Sequence, residues 1–204
     1  MEKIKVAVLV SGGGTNLGAL IEAEKSGVIK SGEISLVISN KVGAYALERA
    51  RNAGIEALTV TKAECGSQEA FEERLINELT SRGIELIVLA GFMAILSERF
   101  TRAFENRIIN VHPSLIPSFC GKGFYGLRVH EAALEYGVKV TGATVHYVNE
   151  IPDGGKIILQ KSVNIKDGDT PEILQRRVME KAEWIILPRA CELVSKKLLK
   201  EKKC

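Results

Sequence analysis

The first half of the chain alternates short apolar segments with amphipathic ones, and no other feature restricts the fold as strongly. The apolar runs have the length and composition of strands, whereas the segments between them repeat apolar residues with a helical period. This pattern indicates strands at 4–10, 34–39, 56–60 and 86–90, and helices from residue 16, at 44–53 and at 68–81. We therefore predict a Rossmann-like, mostly parallel α/β sheet with helices on both faces.

The second half has a different pattern. A short strand at 108–111 precedes an irregular loop at 113–126, and residues 138–148 and 157–165 alternate like a pair of β-strands. Thr170 as N-cap and Pro171 in the first turn predict a long helix to about residue 187, which Pro188 interrupts or bends. No linker is apparent, so we predict one domain over 1–204 with halves at 1–110 and 111–204.

Charge and cysteine content exclude several classes of protein. A net charge of +3, from 28 basic and 25 acidic residues, is too balanced to indicate a nucleic-acid partner. The lysine-rich tail at 196–203 is typical of a solvated helix end. The four cysteines form no CxxC pair, and neither a signal peptide nor an apolar run of about 20 residues is found. We expect reduced thiols, no zinc site and a cytoplasmic protein.

Three consecutive glycines lie between the first predicted strand and the first predicted helix, in the sequence SGGGTN at 11–16. Glycines let the backbone approach an anion closely, and a helix N-terminus favours negative charge. The loop lacks the lysine of a nucleoside-triphosphate loop, and Leu17 replaces the third glycine of a dinucleotide-binding loop. The pattern favours a phosphomonoester, and a tight turn without a ligand is the alternative.

Asn110 and His112 lie two residues apart at the end of a predicted strand, so their side chains share one face of the sheet. A carboxamide and a protonated imidazole can together donate hydrogen bonds to an oxyanion, and imidazole titrates close to physiological pH. The pair is a candidate catalytic site. His130, in a helix-like segment, and His146, in an alternating strand, are interpreted as structural residues.

A carboxylate beside His112 would fix its tautomer, raise its pKa and help to move protons. Asp153 is the candidate, in the segment IPDGG at 151–155 between two predicted strands. An Asp-Gly pair between strands is also typical of a hairpin turn. The local sequence favours the turn and leaves the catalytic role open.

Four segments occur together: SGGGTN at 11–16, LAGFMAIL at 89–96, NVHPSLIP at 110–117 and VHYVNEIPDGGKIILQ at 145–160. Over almost the whole chain they resemble the folate-dependent phosphoribosylglycinamide formyltransferases, the third enzyme of purine synthesis. The resemblance implies transfer of a formyl group from 10-formyltetrahydrofolate to the amine of glycinamide ribonucleotide. It also implies a formyltransferase fold, with 1–110 as the nucleotide- and phosphate-binding half and 111–204 as the catalytic and folate half. We expect a monomer or homodimer that uses no metal and binds no membrane.

The resemblance also implies roles for individual residues. The catalytic group would be Asn110, His112 and Asp153. The ribonucleotide would be held at its phosphate and ribose hydroxyls by Gly14, Thr15, Asn16 and, from the long helix, Glu183. The folate site would be lined by Gln68, Met93, Ala94, Ile95, Leu96 and Asn110.

Three features depart from the family pattern. Ala94 stands where the family often has arginine and Gln68 where it often has a basic residue, so looser contacts with the glutamate tail or pterin are expected. The loop at 118–126, SFCGKGFYG, is about four residues longer than usual in the family. Its two interpretations are a lid over the substrates and a surface insertion. Cys120 within it is not expected to be a nucleophile, because amine-to-amine formyl transfer needs no covalent enzyme intermediate.

The expected mechanism is direct transfer within a ternary complex. Asn110 and protonated His112 would stabilise the oxyanion, and protons would pass to the folate nitrogen through His112, Asp153 or a water. One alternative is a formyltetrahydrofolate hydrolase or a related formyltransferase, such as the enzyme that acts on aminoacyl-tRNA. The hydrolase and the aminoacyl-tRNA enzyme usually carry an extra domain, for which we expect no room in 204 residues. Another is a non-catalytic nucleotide-binding protein, against which the three intact residues argue.

Overall fold

The computed structural model describes residues 2–203. Its strands are β1 (Ile4–Val10), β2 (Gly32–Ser39), β3 (Glu56–Thr59), β4 (Leu86–Leu89), β5 (Ile108–His112), β6 (Val140–Tyr147) and β7 (Ile157–Asn164). Its helices are α1 (Thr15–Lys25), α2 (Tyr45–Asn52), α3 (Lys62–Cys65), α4 (Gln68–Ser81), α5 (Glu98–Ala103), α6 (Leu127–Tyr136), α7 (Pro171–Val178) and α8 (Trp184–Glu201). A π-helical turn, Met179–Glu183, joins the last two helices.

Helices cover both faces of the sheet because its central strands are apolar on both sides. In β1, Val6 and Val8 pack into one core with α1, α2 and α8, whereas Ala7 and Leu9 pack into a second core with α4 and α5. All four side chains are fully buried. The predicted α/β architecture, with helices on both faces, is confirmed.

The seven strands form one sheet in the order β3-β2-β1-β4-β5-β6-β7. The first five are parallel, whereas β6 pairs antiparallel with both β5 and β7. The strand order reverses between β1 and β4, and ligands of open α/β sheets bind at the carboxyl ends of the strands beside such a reversal. The glycine loop follows β1, the segment 90–97 follows β4, and Asn110 and His112 end β5. The topology therefore brings three predicted motifs to the same edge.

The C-terminal helices differ in part from the prediction. Thr170 is the N-cap, as expected, and its side chain accepts a hydrogen bond from the Ile173 N–H group. Pro188 does not interrupt the helix: α8 runs from Trp184 to Glu201 and includes it. The neighbouring side chains of Leu187 and Ala190 are fully buried, so packing outweighs the backbone hydrogen bond that proline cannot donate. The irregularity lies upstream, in the π-helical turn.

Other expectations concern the surface and the thiols. Lys196 and Lys197 are exposed, which confirms the solvated end of the last helix. The thiols of Cys65, Cys120 and Cys191 are unpaired, and Cys204 lies outside the described residues. Between residues 2 and 203, no helix is both long and apolar enough to span a membrane.

Candidate active site

The glycine loop is held in shape by helix α2. Gly14 is the N-cap of α1 and adopts the left-handed conformation, with φ of 69°. A Cβ atom at this position would lie 2.6 Å from the Cβ of Ala46, so only glycine fits there. The Ala46 N–H donates to the Gly12 carbonyl at 3.1 Å, and Arg49 Nε donates to the Gly13 carbonyl at 2.9 Å. The backbone at the start of α1 is therefore fixed in advance of any ligand.

Ser11 connects this loop to the segment that follows β4. Its hydroxyl donates to Asn40 Oδ1 at 2.6 Å and accepts from the Met93 N–H at 2.8 Å. The predicted phosphate loop and the predicted folate segment are thus neighbours.

Asn16 and Glu183 form a buried pair at the start of α1. Asn16 Nδ2 donates to Glu183 Oε2 at 2.7 Å, and the π-helical turn carries the glutamate. Burial raises the pKa of Glu183, and the hydrogen bond from Asn16 opposes that rise. Asn16 Oδ1 has no hydrogen-bond partner among residues 2–203. Thr15, next to this pair, is exposed, and its hydroxyl lies 3.8 Å from Met179 Sδ. The structure therefore brings the predicted ribonucleotide residues together from the two ends of the chain.

Asn110 on β5 lies directly opposite His146 on β6. Asn110 Nδ2 is 3.2 Å from His146 Nε2, and His146 Nδ1 is 2.8 Å from the Tyr147 carbonyl oxygen. A carbonyl only accepts, so Nδ1 carries a proton, and in the neutral ring Nε2 accepts from the amide. His146, which the sequence led us to interpret as structural, therefore orients the Asn110 carboxamide.

Asp153 lies beside both histidines of the site. Its Oδ2 is 3.4 Å from His112 Nδ1, and its Oδ1 is 3.5 Å from His146 Nε2. It adopts a left-handed conformation, with φ of 56°, in the turn between β6 and β7. Asp153 is therefore a turn residue and also a neighbour of His112.

The charges of this cluster are coupled. Burial lowers the pKa of His112, whereas Asp153 and the Phe119 carbonyl act in the opposite direction without cancelling the effect. Burial raises the pKa of Asp153, but the neighbouring His146 and His112 and a hydrogen bond from the Gly121 N–H group outweigh it, and the pKa is lower than usual. Asp153 is an anion at neutral pH that favours a proton on His112.

Two cavities meet beside this cluster. The smaller, of about 150 Å³, is lined by Asn110, His146 and Asp153 and by apolar side chains that include Leu96. The larger, of about 540 Å³, is lined by six further residues that follow β2, begin α3 and α4, or follow β4: Asn40, Lys62, Gln68, Phe71, Met93 and Ser97. Ala94 and Ile95 line both cavities. All the residues predicted to contact folate line these two cavities, which share a wall and are together called the groove.

Gln68 supports the wall of this groove. Its Nε2 donates to Glu72 Oε1 at 2.8 Å and to the Ile95 carbonyl at 3.1 Å. Glu72 is buried and also accepts hydrogen bonds from the N–H and hydroxyl groups of Ser97. The Gln68 amide therefore holds the segment after β4 in place.

Cys120 lies near Asp153 but is poorly suited to nucleophilic chemistry. Burial, and then the charge of Asp153, raise the pKa of its thiol, and the nucleophilic form of cysteine is the thiolate. In the described part of the chain, no group of three His, Cys, Asp or Glu side chains is arranged to hold a metal ion.

Comparison with known proteins identifies the class. The family model of formyl transferases matches residues 4–191, and the chain belongs to this family. It is 42% identical over 175 residues to phosphoribosylglycinamide formyltransferase of Escherichia coli, covering 86% of this chain and 80% of the relative. It is 47% identical over 193 residues, 95% of its length, to the trifunctional purine biosynthetic protein adenosine-3 of Gallus gallus, but spans only 18% of that relative.

Solved structures agree with this assignment. Glycinamide ribonucleotide transformylase 1 from Symbiobacterium toebii superposes with a TM-score of 0.89 at 43% identity, over 96% of this chain and 89% of that one. Phosphoribosylglycinamide formyltransferase from Brucella melitensis gives a TM-score of 0.87 at 39% identity, over 95% and 96% of the two chains.

Proposed function

We propose that the chain transfers the formyl group of 10-formyltetrahydrofolate to the amine of glycinamide ribonucleotide in purine synthesis. The observation that carries this proposal is the convergence of Asn110, His112 and Asp153 near the carboxyl end of β5, beside the smaller cavity. Two donors and one carboxylate in this arrangement suit a reaction in which charge develops on a carbonyl oxygen. The names of the relatives in the same family agree with this reaction.

The ribonucleotide would bind between the glycine loop and the π-helical turn. The N–H groups at the start of α1, together with its dipole, suit the phosphate. Thr15 and Asn16 would add side-chain contacts, and the buried carboxylate of Glu183 would accept hydrogen bonds from the ribose hydroxyls. The unpartnered Asn16 Oδ1 leaves an acceptor for a substrate hydroxyl.

The folate would lie along the groove formed by the two cavities. Its formyl end would reach Asn110 and Asp153 in the smaller cavity, and its glutamate tail would lie in the larger one. Neither Ala94 nor Gln68 offers a positive charge to that tail, but Lys62 at the start of α3 lies in the same lining. We infer that Lys62 supplies the cation for the tail carboxylates.

In the proposed reaction, the neutral amine attacks the formyl carbon and a tetrahedral oxyanion forms. Asn110 Nδ2 and protonated His112 donate to that oxygen, and Asp153 stabilises the imidazolium. The proton lost by the amine passes to the departing folate nitrogen through Asp153, His112 or a water, and the carbon–nitrogen bond to folate then breaks. The products are formylglycinamide ribonucleotide and tetrahydrofolate, and no metal takes part.

We further propose that the protein acts in the cytoplasm, as a monomer or homodimer, without a nucleic-acid partner. The small net charge of +3 supports the last point.

An assay with both substrates tests this function. Purified protein, 10-formyltetrahydrofolate and glycinamide ribonucleotide should give formylglycinamide ribonucleotide, detected by mass spectrometry, together with an equal amount of tetrahydrofolate. Omission of the ribonucleotide should stop the release of tetrahydrofolate. Release of formate without the ribonucleotide would instead identify a hydrolase, and binding of both substrates without product would identify a non-catalytic protein.

A further inference from the structure

The loop at 118–126, between β5 and α6, is folded against itself. The Ser118 N–H donates to the Leu115 carbonyl at 3.0 Å, and the Phe124 N–H donates to the Gly121 carbonyl at 3.1 Å. The Ser114 hydroxyl donates to the Ser118 carbonyl at 2.5 Å. Several polar groups of the loop are therefore satisfied locally, as expected for a segment with a defined conformation.

Two backbone groups of this loop contact the catalytic residues directly. His112 Nε2 is 2.8 Å from the Phe119 carbonyl oxygen, and the Gly121 N–H donates to Asp153 Oδ2 at 2.9 Å. Phe119 reaches this position in the left-handed conformation, with φ of 50°. A non-glycine residue in that conformation is uncommon and requires support from its surroundings.

That support comes from aromatic packing. The Phe119 ring packs edge-on against Phe124 at 6.3 Å and against Tyr136, at the end of α6, at 6.0 Å between ring centroids. Aromatic pairs at these distances stabilise a structure beyond the effect of their buried area. The contact with Phe124 lies within the loop, and the contact with Tyr136 ties Phe119 to the end of helix α6.

We propose that Phe119 is a positioning residue whose carbonyl oxygen holds His112 with its proton on Nε2 and thereby presents Nδ1 to Asp153 and to the reacting formyl group. This inference rests on the proposed function and extends it to the loop. The loop is then part of the support of the catalytic pair, in contrast to both a mobile lid and a surface insertion.

The tautomer of His112 follows from its contact with the Phe119 carbonyl oxygen. Because a carbonyl oxygen only accepts hydrogen bonds, this contact fixes the proton of neutral His112 on Nε2. Nδ1 then faces Asp153, and a second proton at Nδ1 lies between the carboxylate and the position proposed for the formyl oxygen. The titratable groups that act on His112 are Asp153 and His146 on β6, and His112 in turn acts on His130 of α6. Only Asp153 among them favours the charged ring.

Phe119→Ala tests the proposal, with Tyr125→Ala as the matched control. Tyr125 belongs to the same loop, but its ring stacks on Arg128 at 5.2 Å, whereas the Phe119 ring packs on Phe124 and Tyr136. Phe119→Ala should lower kcat by about tenfold, within the range that a positioned acid–base group contributes, and leave both KM values within about twofold. Tyr125→Ala should leave all three constants unchanged.

The pH profile separates positioning from a merely structural effect. The Phe119 carbonyl favours protonated His112, so a looser contact lowers the pKa of that ring. The alkaline limb of the kcat profile of Phe119→Ala should therefore move to lower pH, and the deficit should shrink as the pH falls. A wild-type kcat and profile, or a deficit equal at every pH, would overturn the proposal.

Two further measurements keep the test decisive. Nitrogen-15 NMR of the three histidines in the ligand-free protein at pH 8 should show neutral His112 with its proton on Nε2. A proton on Nδ1 would contradict the proposal about Phe119 whether or not formyl transfer occurs. Absence of formyl transfer in the wild type would refute only the proposed function.

If Phe119→Ala fails to fold, Tyr136→Ala replaces it. The Tyr136 side chain is 80% exposed, so its removal should not prevent folding, and it should change kcat and the pH profile in the same direction.

Discussion

Asn16 and Glu183 are separated by 167 positions in the sequence, yet Asn16 Nδ2 donates a hydrogen bond to Glu183 Oε2 over 2.7 Å in the protein interior. This contact joins the end of the glycine loop to the π-helical turn. The hydrogen bond therefore couples the proposed phosphate contacts to the proposed ribose contacts. A substitution of either residue should weaken both sets of contacts with the ribonucleotide.

A double-mutant cycle with Asn16→Ala and Glu183→Ala should measure this link. Each single change should raise the KM for the ribonucleotide and leave the KM for folate nearly unchanged. In urea unfolding, the interaction energy of the pair should be about 1.5–3 kcal/mol, as expected for a hydrogen bond to a charged group. Strictly additive effects, or a rise confined to the KM for folate, would refute the assignment of this site.

Lys62→Ala should weaken binding of the folate tail. The expected rise in the KM for folate is about two- to fivefold, or ~0.4–1 kcal/mol, which lies in the upper part of the range for an exposed ion pair. It should be larger for a triglutamate than for a monoglutamate and should diminish at high salt. Lys62→Arg is the matched control and should behave as the wild type. If Lys62→Ala had the same KM as the wild type for the monoglutamate and also for the triglutamate, this role of Lys62 would be excluded.

His130 should make the protein less stable in acid. It is fully buried on α6, and burial, followed by the charge on His112, lowers its pKa to about 4. In the unfolded chain its pKa returns to about 6.5, so its contribution to stability is complete above that pH and is lost as the pH falls toward 4. Each unit of that pKa difference corresponds to ~1.4 kcal/mol, so the loss of stability is about 3 kcal/mol. His130→Leu should lose correspondingly less stability than the wild type between pH 6.5 and 4 in urea unfolding, whereas parallel curves would show that His130 does not titrate in this way.

Asp153→Asn should preserve the shape of the turn and remove its charge. Because Asp153 favours protonated His112, the variant should have a lower kcat and an alkaline limb displaced to lower pH. Binding of the ribonucleotide should be nearly normal, since Asp153 lies outside the proposed phosphate and ribose contacts. An unchanged pH profile would show that the carboxylate does not control the protonation of His112.

Much of the fold follows from local pattern. The bounds of β1 and α4 agree with the prediction at both ends, because continuous apolar content and a clear helical period define them. The uninterrupted passage of α8 through Pro188 did not follow from the sequence, because tertiary packing there outweighs the local preference of proline. No feature of the sequence at 179–183 distinguishes the π-helical turn from an ordinary helix.

The site was predictable wherever its residues share one segment. Asn110 and His112 follow from strand alternation, whereas the part played by His146 depends on the register between β5 and β6. That register is a long-range property that strand alternation does not provide. The same limit applies to Phe119, whose carbonyl reaches His112 only because the loop folds back.

The most direct test of the account is the turnover of His112→Ala at saturating concentrations of both substrates. Loss of one oxyanion donor typically lowers kcat about 100- to 1,000-fold, or ~2.7–4 kcal/mol. We predict a fall of at least that size, with a comparable fall for Asn110→Ala and with both variants as well folded as the wild type. Near-normal turnover of His112→Ala would contradict the proposed catalytic centre.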